Sequence, residues 1–228
     1  MEILGFQKLS LVDYPEKLCS VVFTGGCNFR CPYCHNKSIV NQCGDTMDEE
    51  KLEKTLLKRN KYISNLCISG GEPTLQKDLV SFIKNYKNLG FSVKLDTNGS
   101  NPAMLKELLE NKYVDYVAMD LKTSLDDYER VTGKSGFEKK IMRSLKLLKT
   151  YPIDYEFRTT FVKGMMTVKS IEGLKQMVHN SNRFVLQRGR LNNEVLLPNK
   201  EMTSYTKEEM EALKEEFRSF VKEVRLNS

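Results

Sequence analysis

Cys27, Cys31 and Cys34 fall within eight positions in the run Gly25-Gly26-Cys27-Asn28-Phe29-Arg30-Cys31-Pro32-Tyr33-Cys34-His35-Asn36. Their C-x3-C-x2-C spacing gathers soft thiolates, which suit zinc or an iron–sulfur centre. A structural zinc takes four protein ligands. His35 directly follows Cys34 and would strain a shared tetrahedron, and His179, the other histidine, stands alone. A zinc knuckle would therefore need Cys43 as its fourth ligand. A cubane needs only the three cysteines and leaves one iron open to bind a substrate or cofactor. Cys19, Cys43 and Cys67 are isolated, and six cysteines without a secretory leader favour metal or redox chemistry over disulfides.

Further along, short polar clusters recur: Ser69-Gly70-Gly71-Glu72-Pro73, Asp96-Thr97-Asn98-Gly99, Met119-Asp120-Leu121-Lys122, Arg158-Thr159-Thr160 and Gln187. Singly, each has an ordinary explanation. Gly-Gly and Asn-Gly make turns, Asp96 could cap a helix, Lys122 could be a surface charge and Arg158 could form a salt bridge along a barrel wall. Each cluster ends an apolar run, however, and strand ends in a βα barrel converge on one rim where active sites are built. Asp96 and Asp120 would supply acceptors there, Lys122 a cation, and Arg158 a fork for a carboxylate or ribose.

The elements that must position these groups follow from periodicity. Strands are expected at 18–24, 65–69, 91–97, 113–121, 155–162 and 184–187. Helices are expected at 48–62, 77–89, 102–111, 137–149 and 168–179. Near-continuous apolar strands alternating with helices imply an α/β fold with a parallel sheet of six βα units. Thr206 and Glu209 have the spacing of a capping box. Met210, Leu213, Phe217 and Val221 then form the packing stripe of a C-terminal helix. No linker or low-complexity tract divides the chain, so residues 1–228 read as one domain.

Of the 228 residues, 40% are hydrophobic and 29% charged, an ordinary globular balance. With 36 basic and 30 acidic residues the net charge is +6, and the charges are scattered. A mixed solvated surface is expected, with neither a nucleic-acid groove nor a membrane span. The expected location is the cytoplasm. The positive excess could steer an acidic electron carrier.

The cysteine motif, with aromatic Tyr33 before its last member, resembles the defining motif of the radical S-adenosylmethionine (SAM) superfamily. That resemblance implies a partial (β/α)6 barrel of the radical-SAM type carrying a [4Fe–4S] cluster on Cys27, Cys31 and Cys34. It further implies SAM chelated at the open iron and cleaved reductively to a 5′-deoxyadenosyl radical. The cofactor-binding positions it implies are Tyr33, Gly70, Gly71, Glu72, Asp96, Asn98, Asp120, Lys122 and Arg158, with Gly70-Gly71-Glu72 gripping the methionine amino group.

Residues 8–15, 23–28 and 34–36, with Asp96-Thr97-Asn98-Gly99 and Asp120-Leu121-Lys122, more narrowly resemble activating proteins of anaerobic ribonucleoside-triphosphate reductase. The similarity spans roughly residues 1 to 190. It implies hydrogen abstraction from a glycine of that partner, reduction by flavodoxin or ferredoxin, and a monovalent cation held by Asp96 and Asp120. Gln187-Arg188-Gly189-Arg190 departs from the Gln-Gln-Phe ending of such activases, and Cys43 alone after Cys34 excludes a second cubane. Another glycyl-radical enzyme or a small heterocycle is the alternative substrate, and a zinc-binding module is the third reading.

Overall fold

The computed structural model describes residues 1–191 and 195–227. Its sheet follows chain order: β1 (Ile3–Ser10), β2 (Cys19–Thr24), β3 (Asn65–Gly70), β4 (Ser92–Thr97), β5 (Tyr116–Asp120), β6 (Asp154–Lys163) and β7 (Ser181–Arg188). A short β8 (Thr203–Ser204) pairs with β6, and β9 (Val221–Asn227) closes the order beside β7. β2 to β7 run parallel, as the six expected units require, while β1 is antiparallel to β2. The sheet curls without closing, so it is a partial barrel.

The connections are α1 (Lys37–Val40), α2 (Glu49–Arg59), α3 (Leu79–Asn88), α4 (Pro102–Glu110), α5 (Tyr128–Thr132), α6 (Glu138–Thr150), α7 (Val168–Val178) and α8 (Lys207–Phe217). Sequence signals start several of them. Asp48 accepts the backbone N–H groups of Glu50 and Lys51 at α2, and Asn101 precedes Pro102 at α4. Leu52, Leu56, Ile83, Leu105, Leu108, Ile141 and Leu174 bury the inner helix faces in one large core.

Successive strand residues point to opposite faces, so a second set faces the barrel interior. In register across the strands these are Val21, Cys67, Lys94 and Tyr116, then Asp96, Ala118 and Glu156, then Asp120, Arg158 and Val185. Tyr14, from the β1–β2 connection, plugs the amino end of this interior against Cys19, Val21, Cys67 and Tyr116, its hydroxyl 2.9 Å from Ser92 Oγ. Cys19 and Cys67 are thus fully buried core residues.

Two expectations are corrected. The stripe ending at Val221 is not one helix: α8 stops at Phe217 and Val221 opens β9. The chain therefore ends its described part on an edge strand. β1, on the other edge, is also additional to the six expected strands. Among the described residues no helix is long and apolar enough to cross a membrane.

Candidate active site

The cysteine loop begins where β2 ends and is fixed by backbone bonds from several directions. Gly26 N–H donates to Ile39 O (2.8 Å), Arg30 N–H to Thr132 O (2.7 Å) and Leu196 N–H to Cys34 O (2.9 Å). The Arg30 guanidinium turns back onto the carbonyls of Cys27 and Phe29. Cys27, Cys31 and Cys34 all face one cleft of about 340 Å³, with Cys31 the most enclosed. Burial pushes the Cys27 thiol up and the Cys31 thiol up to about 12. Cluster binding must therefore displace protons from both.

Two glycines bring the β3 turn against this loop. Gly71 N–H donates to Thr24 O (2.9 Å) and Glu72 N–H to Gly26 O (2.8 Å). A Cβ on Gly71 would lie 1.9 Å from Gly26 O, and one on Gly70, whose φ is +117°, 2.4 Å from Thr24 N. Only glycine permits that approach. Gly70 and Gly71 line the cleft, but Glu72 does not. Fully buried, it accepts from the Thr74 and Asn98 N–H groups and from the Thr97 hydroxyl, at 3.1, 2.6 and 2.7 Å. Burial raises its carboxyl above the ordinary value, against the pull of those donors. The structure thus places Glu72 behind the cofactor surface as a brace between the β3 and β4 turns.

That brace sets Asn98, whose amide donates to Asn28 Oδ1 (2.9 Å) and approaches Cys27 Sγ (3.9 Å). Beside it lies a network of five charges. Arg158 donates through Nε to Asp120 Oδ1 (2.8 Å) and through Nη1 to Asp96 Oδ2 (3.3 Å). Lys122 Nζ holds Asp120 Oδ2 (2.8 Å), while buried Lys94 holds Asp96 Oδ1. Burial pushes both carboxyls up, but Arg158 with Lys94 or Lys122 outweighs it and keeps them below the ordinary range. Lys94 lies outside the cleft and Asp13 lines it, so Asp13, Asp96 and Asp120 face it with Lys122 and Arg158, and the two cations are positioned there by their ion pairs.

Every carboxylate oxygen of Asp96 and Asp120 therefore already has a cationic side-chain partner. A monovalent cation beside them would share oxygens that cationic side chains already hold. Lys94 was not legible as a site residue, although it lies two positions before Asp96 on the same strand face.

Tyr33, Gly70, Gly71, Asp96, Asn98, Asp120, Lys122 and Arg158 share the cleft with the three cysteines. The Tyr33 hydroxyl is buried without a hydrogen-bond partner. Such an orphaned polar group, next to Lys122, Arg158 and three thiols, fits an enclosed cofactor with polar parts. Asp13, His35, Ser69, Thr160 and Gln187 also line the cleft, the Thr160 hydroxyl donating to Gln187 Oε1 (3.2 Å). His179 lies apart, at the end of α7 against Phe220.

The zinc arrangement is not present. Cys43 is exposed, its thiol 3.6 Å from Asn41 O, and among the described residues no three His, Cys, Asp or Glu side chains converge on a single ion. A cubane carries its thiolates on separate irons, so its ligands need not converge that way.

The sequence profile of the Radical SAM superfamily matches residues 21–178. A candidate glycyl-radical enzyme activating enzyme of Methanocaldococcus jannaschii is 39% identical over 194 residues, covering 82% of this chain and 79% of that protein. The pyruvate formate-lyase-activating enzyme of Clostridium pasteurianum is 36% identical over 145 residues, covering 60% of each. Among solved structures, Streptococcus suis SuiB bound to the precursor peptide SuiA superposes with a TM-score of 0.70 at 16% identity. That match covers 90% of this chain and 48% of SuiB, and it carries the fold alone.

Proposed function

This chain belongs to the radical SAM superfamily, a family of enzymes that use a [4Fe–4S] cluster and SAM, and on that premise we propose that it is a glycyl-radical enzyme activase. The observation that supports this reading most is the single cleft that joins Cys27, Cys31 and Cys34 to the strand-end groups of β3 to β6. Its client, in this proposal, is an anaerobic ribonucleoside-triphosphate reductase.

The three cysteines would hold the cluster. Lys122 and Arg158 would orient the methionine carboxylate of SAM, while Gly70 and Gly71 offer backbone to its amino group. Tyr33 has a free hydroxyl for the remaining polar edge. Asp96 and Asp120 hold the cationic side chains in place and, fully paired, take no proton near neutrality. When bound, cluster and SAM supply the 5′-deoxyadenosyl radical that takes a hydrogen from a client glycine. The chain's own work is to orient the reactants and keep water from them. No step is assigned to a monovalent cation. Replacing potassium by tetramethylammonium is expected to leave SAM affinity within twofold, as equilibrium dialysis would measure.

Anaerobic reconstitution, reduction and addition of SAM should yield 5′-deoxyadenosine from the wild type and none from Cys31→Ala. Adding the reductase should then give a glycine-centred radical by electron paramagnetic resonance. No nucleoside from a protein with an intact reduced cluster would sink the enzyme assignment. Nucleoside without a radical on the reductase would remove only this client. A pyruvate formate-lyase is the second client, favoured by the Clostridium relative, and the same assay with that enzyme decides between them.

A further inference from the structure

We propose that a groove behind the cysteine loop, between the amino ends of α4 and α6, is the docking surface for a strongly acidic one-electron carrier protein. The proposal rests on the radical SAM reading and adds to it the route by which the cluster is reduced. The groove, of about 600 Å³, has Leu75, Pro102, Ala103 and Phe137 among its lining residues, with Lys139, Lys140 and Arg143 alongside. No acidic residue lines it. All three basic side chains are exposed, and among the described residues none of them forms an ion pair with a carboxylate. Lys139 and Lys140 moreover sit in the first turn of α6, where the helix dipole disfavours positive charge. The Lys140 ammonium lies 5.1 Å from the Phe137 ring centroid, a contact that holds it over the groove without neutralising it, so its charge remains available to a partner.

The position of the groove relative to the thiols fixes what that partner does. Asn28 and Ser100 line the groove but not the cofactor cleft, whereas Cys27 and Asn98 line the cleft but not the groove. The two surfaces meet through Asn28. Its Nδ2 donates to Ser100 Oγ (2.9 Å), and its Oδ1 accepts from the Asn98 amide that approaches Cys27 Sγ. Phe29, between Cys27 and Cys31, packs edge-on against Phe137 with ring centroids 5.0 Å apart.

A protein seated in the groove thus lies one residue layer from the cluster ligands while the cleft stays free for SAM and the client's glycine. A basic lining without acidic residues favours an acidic carrier as the occupant. Apolar contacts with a basic rim suit the small, electrostatically steered encounters of electron carriers. The step is a single electron transfer: the carrier is oxidised by one electron, the cluster is reduced by one, and no proton or group moves.

The test compares two ways of driving SAM cleavage by the reconstituted enzyme: reduced flavodoxin as the acidic carrier, and photoreduced deazaflavin as a small reductant. Wild type with deazaflavin establishes the radical chemistry by itself, so its failure would concern the underlying reading and not the groove. For Lys139→Glu/Lys140→Glu and for the neutral Lys139→Gln/Lys140→Gln/Arg143→Gln, the deazaflavin rate should stay within twofold. The flavodoxin rate should fall at least tenfold for the first variant and severalfold for the second, with a flatter salt dependence. Lys58→Glu/Lys61→Glu, an equal charge change at the other end of the strands, should leave both rates unaltered. A flavodoxin rate within twofold of wild type, an equal loss with both reductants, an equal loss in the Lys58/Lys61 variant, or a raised KM for the client under deazaflavin would each overturn the proposal.

Discussion

A methyl group at position 71 would sit 1.9 Å from the carbonyl oxygen of Gly26, a backbone atom in the strand-to-cysteine-loop turn. Gly71→Ala must therefore shift the loop that presents Cys27. We expect SAM affinity to fall at least tenfold and iron content after reconstitution to drop, while the thermal transition persists. Equilibrium dialysis and iron analysis would check this, and unchanged affinity would refute the close approach. Arg158 is the second such residue, because among the described residues it alone bonds both Asp96 and Asp120. Arg158→Met is expected to cost about 3 kcal/mol at pH 7, since it leaves buried carboxylates short of a partner. Both carboxyls are held below their ordinary values in the fold. Their stabilisation is present above the unfolded value near 3.9 and is lost as pH falls toward the folded values. Glu72, held above its ordinary value, works in the opposite sense. Thermal unfolding between pH 3 and 7 should show wild-type stability falling through the acid range and a shallower fall in Arg158→Met.

At the level of elements, the parts legible in the sequence were those with one periodicity and a terminal signal. The strands ending at Thr24, Gly70, Thr97 and Asp120 are apolar runs closed by polar turns. The polar clusters at those ends stood out for the same reason, because they recur at the same place after successive strands. β1 and β9 were not legible, because an edge strand has a partner on one side only. Val221, which opens β9, falls four residues after Phe217 and so kept the helical spacing across the break. Lys94 was missed because its neighbours Val93 and Leu95 mark an ordinary core strand, and only the register across β3 and β5 turns it inward. For Glu72 the motif names the turn but not which way the carboxylate turns, and the structure sets it against Thr74, Thr97 and Asn98. The capping box of α8 was both legible and formed: the Thr206 hydroxyl accepts from Glu209 N–H, and Glu209 returns a bond to Thr206 N–H. Thr206→Ala should cost about 1 kcal/mol and roughly 2–4 °C in Tm. Because α8 packs by Phe217 onto Phe184, away from the cleft, SAM affinity should not change, and a changed affinity would reveal coupling between that wall and the site.

Across the whole molecule, stability and chemistry occupy different places. The large core runs beneath the helices from Ile3 to Val221, and the inner plug around Tyr14 fills the amino end of the barrel. The cysteines sit at the opposite end, where Cys27 and Cys34 only border the core. Backbone bonds to Ile39, Thr132, Leu196 and the Gly71 turn hold the loop. This differs from a small zinc-folded module, in which metal binding is the folding free energy. Chelating the iron should therefore leave the far-UV circular dichroism essentially intact and the unfolding cooperative. The metal-free chain should lose only the extra stability that a ligand of the native state confers by mass action. Adding SAM should raise Tm of the cluster-loaded protein and leave that of the iron-free protein unmoved. An iron-free chain without a cooperative transition would mean that the cluster organises the fold, and the separation of a self-sufficient barrel from its reactive end would then be wrong.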